Sequence, residues 1–341
     1  MPIFAYFPIY SQQSSSGQTL RNPAPHILDN MPAPPILDFS PFYGTDEAAK
    51  ATLVRRVRES CLTNGFFQII GHRVTPELQD NVFRVAKEFF ALPLEEKEKI
   101  HKDHNTWNRG YDRLGSQILE AGTHPDLKEG FFIGEEISES HPYFVGKKLN
   151  SGPNFWPSSE KMADAEEFRS VSMEYYSQMH ALARDVLAVI ALTLSLPEAY
   201  FEDFTRGAVA TLRYLHYPPQ APDSDEKLSR GIGAHTDFGS VTLLMQDDVG
   251  GLQVYDKETE EWLDVSMAVE KGLAMVPVER KLARLAGWEE AVEPYEDALL
   301  VDREEERGNA EGFLRAWGWW NAVRGVLMVG AGGVGVWSVL G

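Results

Sequence analysis

Between Ala210 and Val265 the chain breaks into short, closely spaced β-type runs: Ala210 to Tyr217, Ile232 to Asp237, Val241 to Met245, Leu252 to Tyr255 and Trp262 to Val265. Proline and glycine punctuate them, and strands packed so closely along a sequence point to a sandwich or jelly roll. Just before them the spacing predicts one long helix from about Glu160 to Leu194, closed by Pro197. Phe168, Val171, Tyr175, Met179, Leu182, Val186 and Val189 share one face of it, as in a helix packed along the side of a sheet. The expected class is α+β: a sandwich or jelly roll with a long helix along its sheet.

Upstream, ordered structure is expected to begin at Ile36-Leu37-Asp38-Phe39. Thr45 is placed to cap a helix carrying Leu53, Val54, Val57 and Cys61 on one face and ending at Asn64-Gly65. Phe66 to Ile70 reads as a short strand broken by Gly71-His72, and Thr75-Pro76 as a capping residue with proline at the first helical position. That second helix lines up Leu78, Val82, Val85 and Phe89 and stops near Pro93. Lys97 to Pro157 is polar, glycine-rich and aromatic, and reads as loops and short strands. Residues 11 to about 35 are rich in Ser, Gln, Pro and Asn, too poor in apolar surface to offset the entropy of ordering. The organisation expected is a disordered arm over 1–35, an N-terminal region over 36–157, the long helix and the closely spaced strands over 158–265, and a tail of different character over 266–341.

The balance of 51 acidic against 32 basic residues gives a net charge of −19, which repels phosphate backbones and anionic membrane surfaces, so nucleic acid is set aside as a partner. A single cysteine, Cys61, cannot form an internal disulfide, and zinc-finger or CxxC chemistry has nothing to act on. Met1 to Tyr10 is apolar, but no Lys or Arg precedes Arg21, so the charged start of a signal peptide is missing. A reducing, cytoplasmic setting fits these features; the sequence carries no signal for an oligomeric state.

Chemistry concentrates at His235-Thr236-Asp237. In a strand, residues two apart point to the same face, so the imidazole and the carboxylate can close on one metal ion. Alone the pattern reads equally as a His and an Asp facing solvent. Its surroundings decide. Gly233 to Leu244 (GAHTDFGSVTLL), followed by Gly250-Gly251-Leu252-Gln253-Val254, closely resembles the isopenicillin N synthase-like branch of the 2-oxoglutarate/iron(II)-dependent dioxygenases. Leu212 to Pro219 (LRYLHYPP) looks like the strand preceding that family's iron motif, and Asn64 to His72 (NGFFQIIGH) with Phe89-Phe90-Ala91-Leu92-Pro93 resembles its N-terminal region. The resemblance covers about residues 36 to 265.

It implies a double-stranded β-helix with helices against its outer sheet, Fe(II) held by His235 and Asp237, and 2-oxoglutarate as cosubstrate. Tyr217 matches a tyrosine that touches the cosubstrate's carboxylate in some relatives, and also reads as an ordinary half-buried strand tyrosine. The implied reaction is oxidation of a small organic molecule, by hydroxylation, desaturation or cyclisation, in secondary metabolism or catabolism. His72 and His180 read as packed or surface histidines, and His216 matches a position that is not a ligand.

The chain departs from the pattern after Val265. The family's third ligand is a histidine downstream of HxD, followed by an Arg-x-Ser pair that holds the far carboxylate of 2-oxoglutarate. Here no histidine follows His235, and no later arginine has serine two positions on. Residues 279–300 have helical character, 302–311 are dominated by charge, and 325–341 are nearly all Gly, Val and Leu. The jelly roll is thus expected to be incomplete at its C-terminal end, and the chain to be inactive as it stands, with a non-catalytic scaffold or regulatory isoform as the alternative. Val265-Ser266-Met267 can be encoded by GTG-AGT-ATG, which resembles the start of an intron, so the tail fits translated intron. Gly330 to Gly335 satisfies GxGxxG but has too little chain after it for a dinucleotide fold. The final apolar stretch is at the lower limit for a membrane span.

Overall fold

The computed structural model describes residues 4–10, 34–62, 65–148, 150–205, 210–219, 230–235, 237, 241–247, 249–256 and 259–265. Most of the expected arm (11–33), Thr236 of the motif and the whole tail after Val265, with its helical, charged and glycine-rich parts, lie outside the described residues.

The main sheet has five strands in the order β4-β5-β6-β1-β7: β1 is Phe4–Tyr10, β4 Gly110–Asp112, β5 Glu129–Gly134, β6 Thr211–Tyr217 and β7 Thr242–Leu244. β5 and β6 are antiparallel, in register from Glu129 opposite His216 to Gly134 opposite Thr211. β1 runs parallel to both its neighbours, Phe4 to Tyr10 against Thr211 to Tyr217 and Phe4 to Tyr6 against Thr242 to Leu244. Two small sheets accompany it. β2 (Ile36–Asp38) pairs in parallel with β3 (Gln68–Ile70), and β8 (Gln253–Asp256) pairs antiparallel with β9 (Glu261–Asp264). Among the described residues these strands do not close into a barrel, so the α+β class and an incomplete jelly roll both stand.

Helix α2 (Pro76–Phe90) and the long α5 (Ala165–Thr193) lie against the main sheet, and α1 (Glu47–Leu62) packs on α5 and β2; α3 (Leu94–Glu98), α4 (Pro142–Val145) and α6 (Glu202–Thr205) are single turns. The faces read from sequence are the ones buried: Leu78, Val82, Val85 and Phe89 on α2, and Phe168, Tyr175, Met179, Leu182, Val186 and Val189 on α5. Phe168 sits at the centre. Its ring stacks on Phe89 at 5.2 Å and meets Phe131 of β5 at 5.4 Å and Tyr214 of β6 at 6.2 Å. Alternation along β6 sends Leu212 and Tyr214 toward α5, while Leu215 and Tyr217 form a second cluster with Ile232 and Leu244 on the other side of the sheet. Cys61 is buried in the main core, where loss of solvent pushes its thiol up to about 12, so it is packing and not chemistry.

Thr75 accepts the Leu78 N–H at 3.3 Å with Pro76 behind it, as the sequence requires. At α1 the structure shifts the cap by one residue: Asp46, not Thr45, accepts the Ala48 and Ala49 N–H groups at 3.0 and 3.1 Å. Gly71 adopts φ +65°, and a Cβ there would overlap the Asp38 carboxylate that holds the turn after β2.

Three further differences matter. Phe4–Tyr10, expected within a disordered arm, is a strand inside the sheet, paired with β6 on one edge and β7 on the other. Six-residue β5 lies in the stretch read as loops and short strands, where the sequence locates no strand because Glu-Gly-Phe-Phe-Ile-Gly is buried throughout and so shows no alternation. Ile232 to Asp237, expected as a strand, is not one among its described residues. Side chains from a distant segment hold its backbone instead.

Candidate metal-facing site

His235 and Asp237 converge. The imidazole Nε2 lies 3.2 Å from Asp237 Oδ1, and Nδ1 lies 2.8 Å from the Gly233 carbonyl oxygen. A carbonyl oxygen only accepts, so Nδ1 carries the proton and Nε2 is the nitrogen turned toward the carboxylate. That is the orientation in which an imidazole offers a lone pair to a metal while its far nitrogen is pinned. Burial, the largest influence on His235, disfavours the charged ring, but the hydrogen bond and charge of Asp237 and the Gly233 carbonyl together outweigh it and raise its pKa. Metal and proton therefore compete for the same Nε2 lone pair.

The backbone of residues 230–235 is fixed from far along the chain. Asp126 accepts the Gly233 N–H at 3.1 Å, Glu120 accepts the Ala234 N–H at 3.0 Å, and the Leu127 N–H donates to the Arg230 carbonyl at 2.9 Å. Each carboxylate also holds a cation: Lys128 lies 2.6 Å from Asp126 and Arg230 lies 3.0 Å from Glu120. These four side chains were not found by sequence reasoning. The carboxylates and Lys128 fall in the polar stretch before β5, more than a hundred residues from the motif, and nothing in their local spacing marks them.

Tyr217 ends β6 and packs with Leu215, Leu244 and Ile232, the last of which lies three residues before His235 in sequence. His216, one residue earlier, points to the opposite side. Its Nδ1 lies 2.7 Å from Glu129 Oε1, which occupies it in a buried network and agrees with its exclusion as a ligand. His72 is likewise engaged: its Nδ1 accepts the Val74 N–H at 3.2 Å.

An imidazole and a carboxylate this close are donors of the types found in an Fe(II) facial triad, which takes one protein ligand more. Among the described residues no group of three His, Cys, Asp or Glu is placed to hold a metal. The fold and this pair together define a helix-backed, jelly-roll protein with a histidine-aspartate motif of the non-haem iron type.

The comparisons narrow that class. Residues 34–159 match the model for the non-haem dioxygenase N-terminal region, and residues 208–283 match the 2OG-Fe(II) oxygenase superfamily, a match that runs past Val265, where the sequence resemblance was expected to end. The 2-oxoglutarate-Fe(II) type oxidoreductase hxnY of Emericella nidulans is 64% identical over 233 residues, which make up 68% of this chain and 66% of that protein. A 2-oxoglutarate-Fe(II) type oxidoreductase of Aspergillus fumigatus is 57% identical over 68% of each chain. The chain thus spans about two thirds of the length of these curated relatives. Among solved structures, a full-length Neurospora crassa protein crystallised in complex with alpha-KG and thymine superposes with a TM-score of 0.61 at 30% identity, covering 74% of this chain and 75% of that one. This chain belongs to the 2-oxoglutarate/Fe(II)-dependent oxygenase superfamily, whose metal is Fe(II) and whose cosubstrate is 2-oxoglutarate. No helix among the described residues is long and apolar enough to cross a membrane.

Proposed function

We propose that this chain carries the Fe(II) end of an oxidoreductase that acts on a small organic molecule, with His235 and Asp237 as its protein ligands and Tyr217 beside the cosubstrate. The observation that carries the proposal is the convergence of His235 Nε2 and Asp237 Oδ1 with Nδ1 already pinned to Gly233. Bound there, Fe(II) with 2-oxoglutarate supplies dioxygen activation coupled to decarboxylation of the oxo acid to succinate. The chain's own residues orient the imidazole through the Gly233 carbonyl and present the Asp237 carboxylate to it. Relatives that include a clavatol oxidase of Penicillium crustosum, 40% identical over 239 residues, support a small-molecule substrate. The setting we propose is cytoplasmic.

A second reading has its own support. No histidine follows His235 in the sequence, so an iron held by this pair has two protein ligands and correspondingly weak chelation. In that case residues 36–157 and 158–265 serve as a dioxygenase-like scaffold or regulatory isoform, with 266–341 as an added tail. Succinate formation from 2-oxoglutarate by the purified chain with Fe(II) and dioxygen separates the two. Turnover that His235→Ala abolishes supports the enzyme, and a folded chain that forms no succinate overturns it in favour of the scaffold.

A further inference from the structure

The peptide that carries His235 has no strand to hold it, yet its position is closely specified. Glu120 Oε2 receives the Ala234 N–H and the Arg230 guanidinium, each at 3.0 Å. Asp126, 1% exposed, receives the Gly233 N–H on Oδ1 and the Lys128 ammonium on Oδ2. Gly233 is pressed against this segment: a Cβ on it would lie 2.7 Å from Glu120 Cβ and 2.8 Å from the Glu120 nitrogen. The carbonyl of Gly233 is the group that orients the His235 ring through Nδ1. A continuous chain of contacts therefore runs from Lys128 through Asp126 and the Gly233 peptide to the imidazole.

We propose that Glu120 and Asp126 are positioning residues that clamp the Arg230 to His235 backbone and so aim His235 Nε2 at the metal position. The part of this inference that concerns metal rests on the function proposed above; the clamp itself does not. Charge makes the arrangement workable. Because Arg230 and Lys128 neutralise the two carboxylates, the clamp adds no competing anionic ligand next to Asp237. Burial of Asp126 also makes its bond to Gly233 costly to lose, since the freed amide and carboxylate have little water to turn to. Gly233 is required for the close approach of Glu120, because any side chain would drive the two segments apart.

The test uses the full chain and the variants Asp126→Ala, Glu120→Ala and Gly233→Ala. Thr75→Ala, which weakens a helix cap far from the motif, serves as a control for loss of stability alone. Two quantities are read at one fixed pH: the amide exchange rates of Gly233 and Ala234 by NMR, and the Co(II) dissociation constant by visible absorption. In the parent both amides exchange slowly despite lying outside any strand. Asp126→Ala removes the acceptor of the Gly233 N–H and Gly233→Ala forces the segment away from it, and each speeds exchange at Gly233 by about tenfold, the loss of one buried hydrogen bond. They also weaken Co(II) binding by about 10- to 100-fold, the range for loss of a group that orients a metal ligand. Thr75→Ala leaves both unchanged. If either variant fails to fold, Glu120→Ala, which removes the acceptor of the Ala234 N–H, reads the same two quantities at Ala234. Parent-like exchange, or Co(II) affinity within about twofold of the parent while exchange rises, overturns the proposal. A parent chain that takes up no Co(II) refutes the proposed function instead, and the clamp is then decided by amide exchange and by the His235 Nδ1 chemical shift in the variants.

Discussion

Replacing Glu129 by glutamine removes one negative charge from the middle of a buried network. Its Oε2 accepts Lys97 Nζ at 2.8 Å and the Tyr111 hydroxyl at 2.6 Å, and its Oε1 meets His216 Nδ1 at 2.7 Å. The Lys97 side chain is only 7% exposed and that of Glu129 10%. Glutamine keeps the shape, and one amide oxygen can still accept from Tyr111 and Lys97, but the Lys97 ammonium is left without its counter-charge. Breaking a buried pair by removing one partner costs about 3–5 kcal/mol, and the retained bonds put this case near the lower end, about 3 kcal/mol. For a folded region of this size that corresponds to a fall in Tm of about 6–12 °C. The pH dependence follows from the direction of the shift. Burial, the largest influence on Glu129, raises its pKa, but the bonds from His216, Lys97 and Tyr111 outweigh it, so the folded-state pKa is lowered. The stabilisation is therefore fully present above the unfolded glutamate value, about 4.3, and is lost as pH falls through the lower folded value. Urea unfolding followed by tryptophan fluorescence should show a constant gap between parent and variant near neutrality that narrows in acid. A loss under about 1 kcal/mol at neutral pH, or a gap that widens on acidification, refutes the reasoning.

Truncating the ring at the centre of the aromatic core, Phe168→Ala, should cost about 3–5 kcal/mol in the same urea assay. Thr75→Ala removes the cap of α2 and should cost about 1 kcal/mol. Gly71→Ala must strain a positive φ and displace the Asp38 carboxylate, and a lower urea midpoint with an unchanged slope would show it. Ala5→Pro deletes a backbone donor from β1 between two paired strands, so amides of β6 should lose protection in hydrogen exchange; unchanged protection over residues 211–217 would contradict the central place of β1.

How much of this was legible follows from the range of the forces involved. α2 and α5 announce themselves because one face of each is buried against a single sheet, which writes a 3.6-residue period into the sequence. β6 and the HxD motif were legible as well, the latter because adjacent residues repeat a specific pattern. The cap of α1 was misplaced by one residue because Thr45 and Asp46 are both good caps, and only geometry chooses between them. β1 gives no periodic signal, and its partners lie about two hundred residues away. The same applies to Glu120 and Asp126. Their contacts with the motif cross more than a hundred residues, so the run Ile232 to Asp237 looked like a strand when its amides in fact bond to side chains. Long-range polar contacts leave no mark on local spacing.

The central claim is that His235 and Asp237 together hold Fe(II), and its most direct test is an anaerobic Fe(II) titration of the parent chain, His235→Ala and Asp237→Ala, each checked for an intact fold by circular dichroism. The account predicts saturable uptake of one ion by the parent, weaker than a three-ligand site would give, and its loss in both variants, because one remaining ligand cannot chelate. No uptake by the parent, or uptake that survives both substitutions, would contradict it.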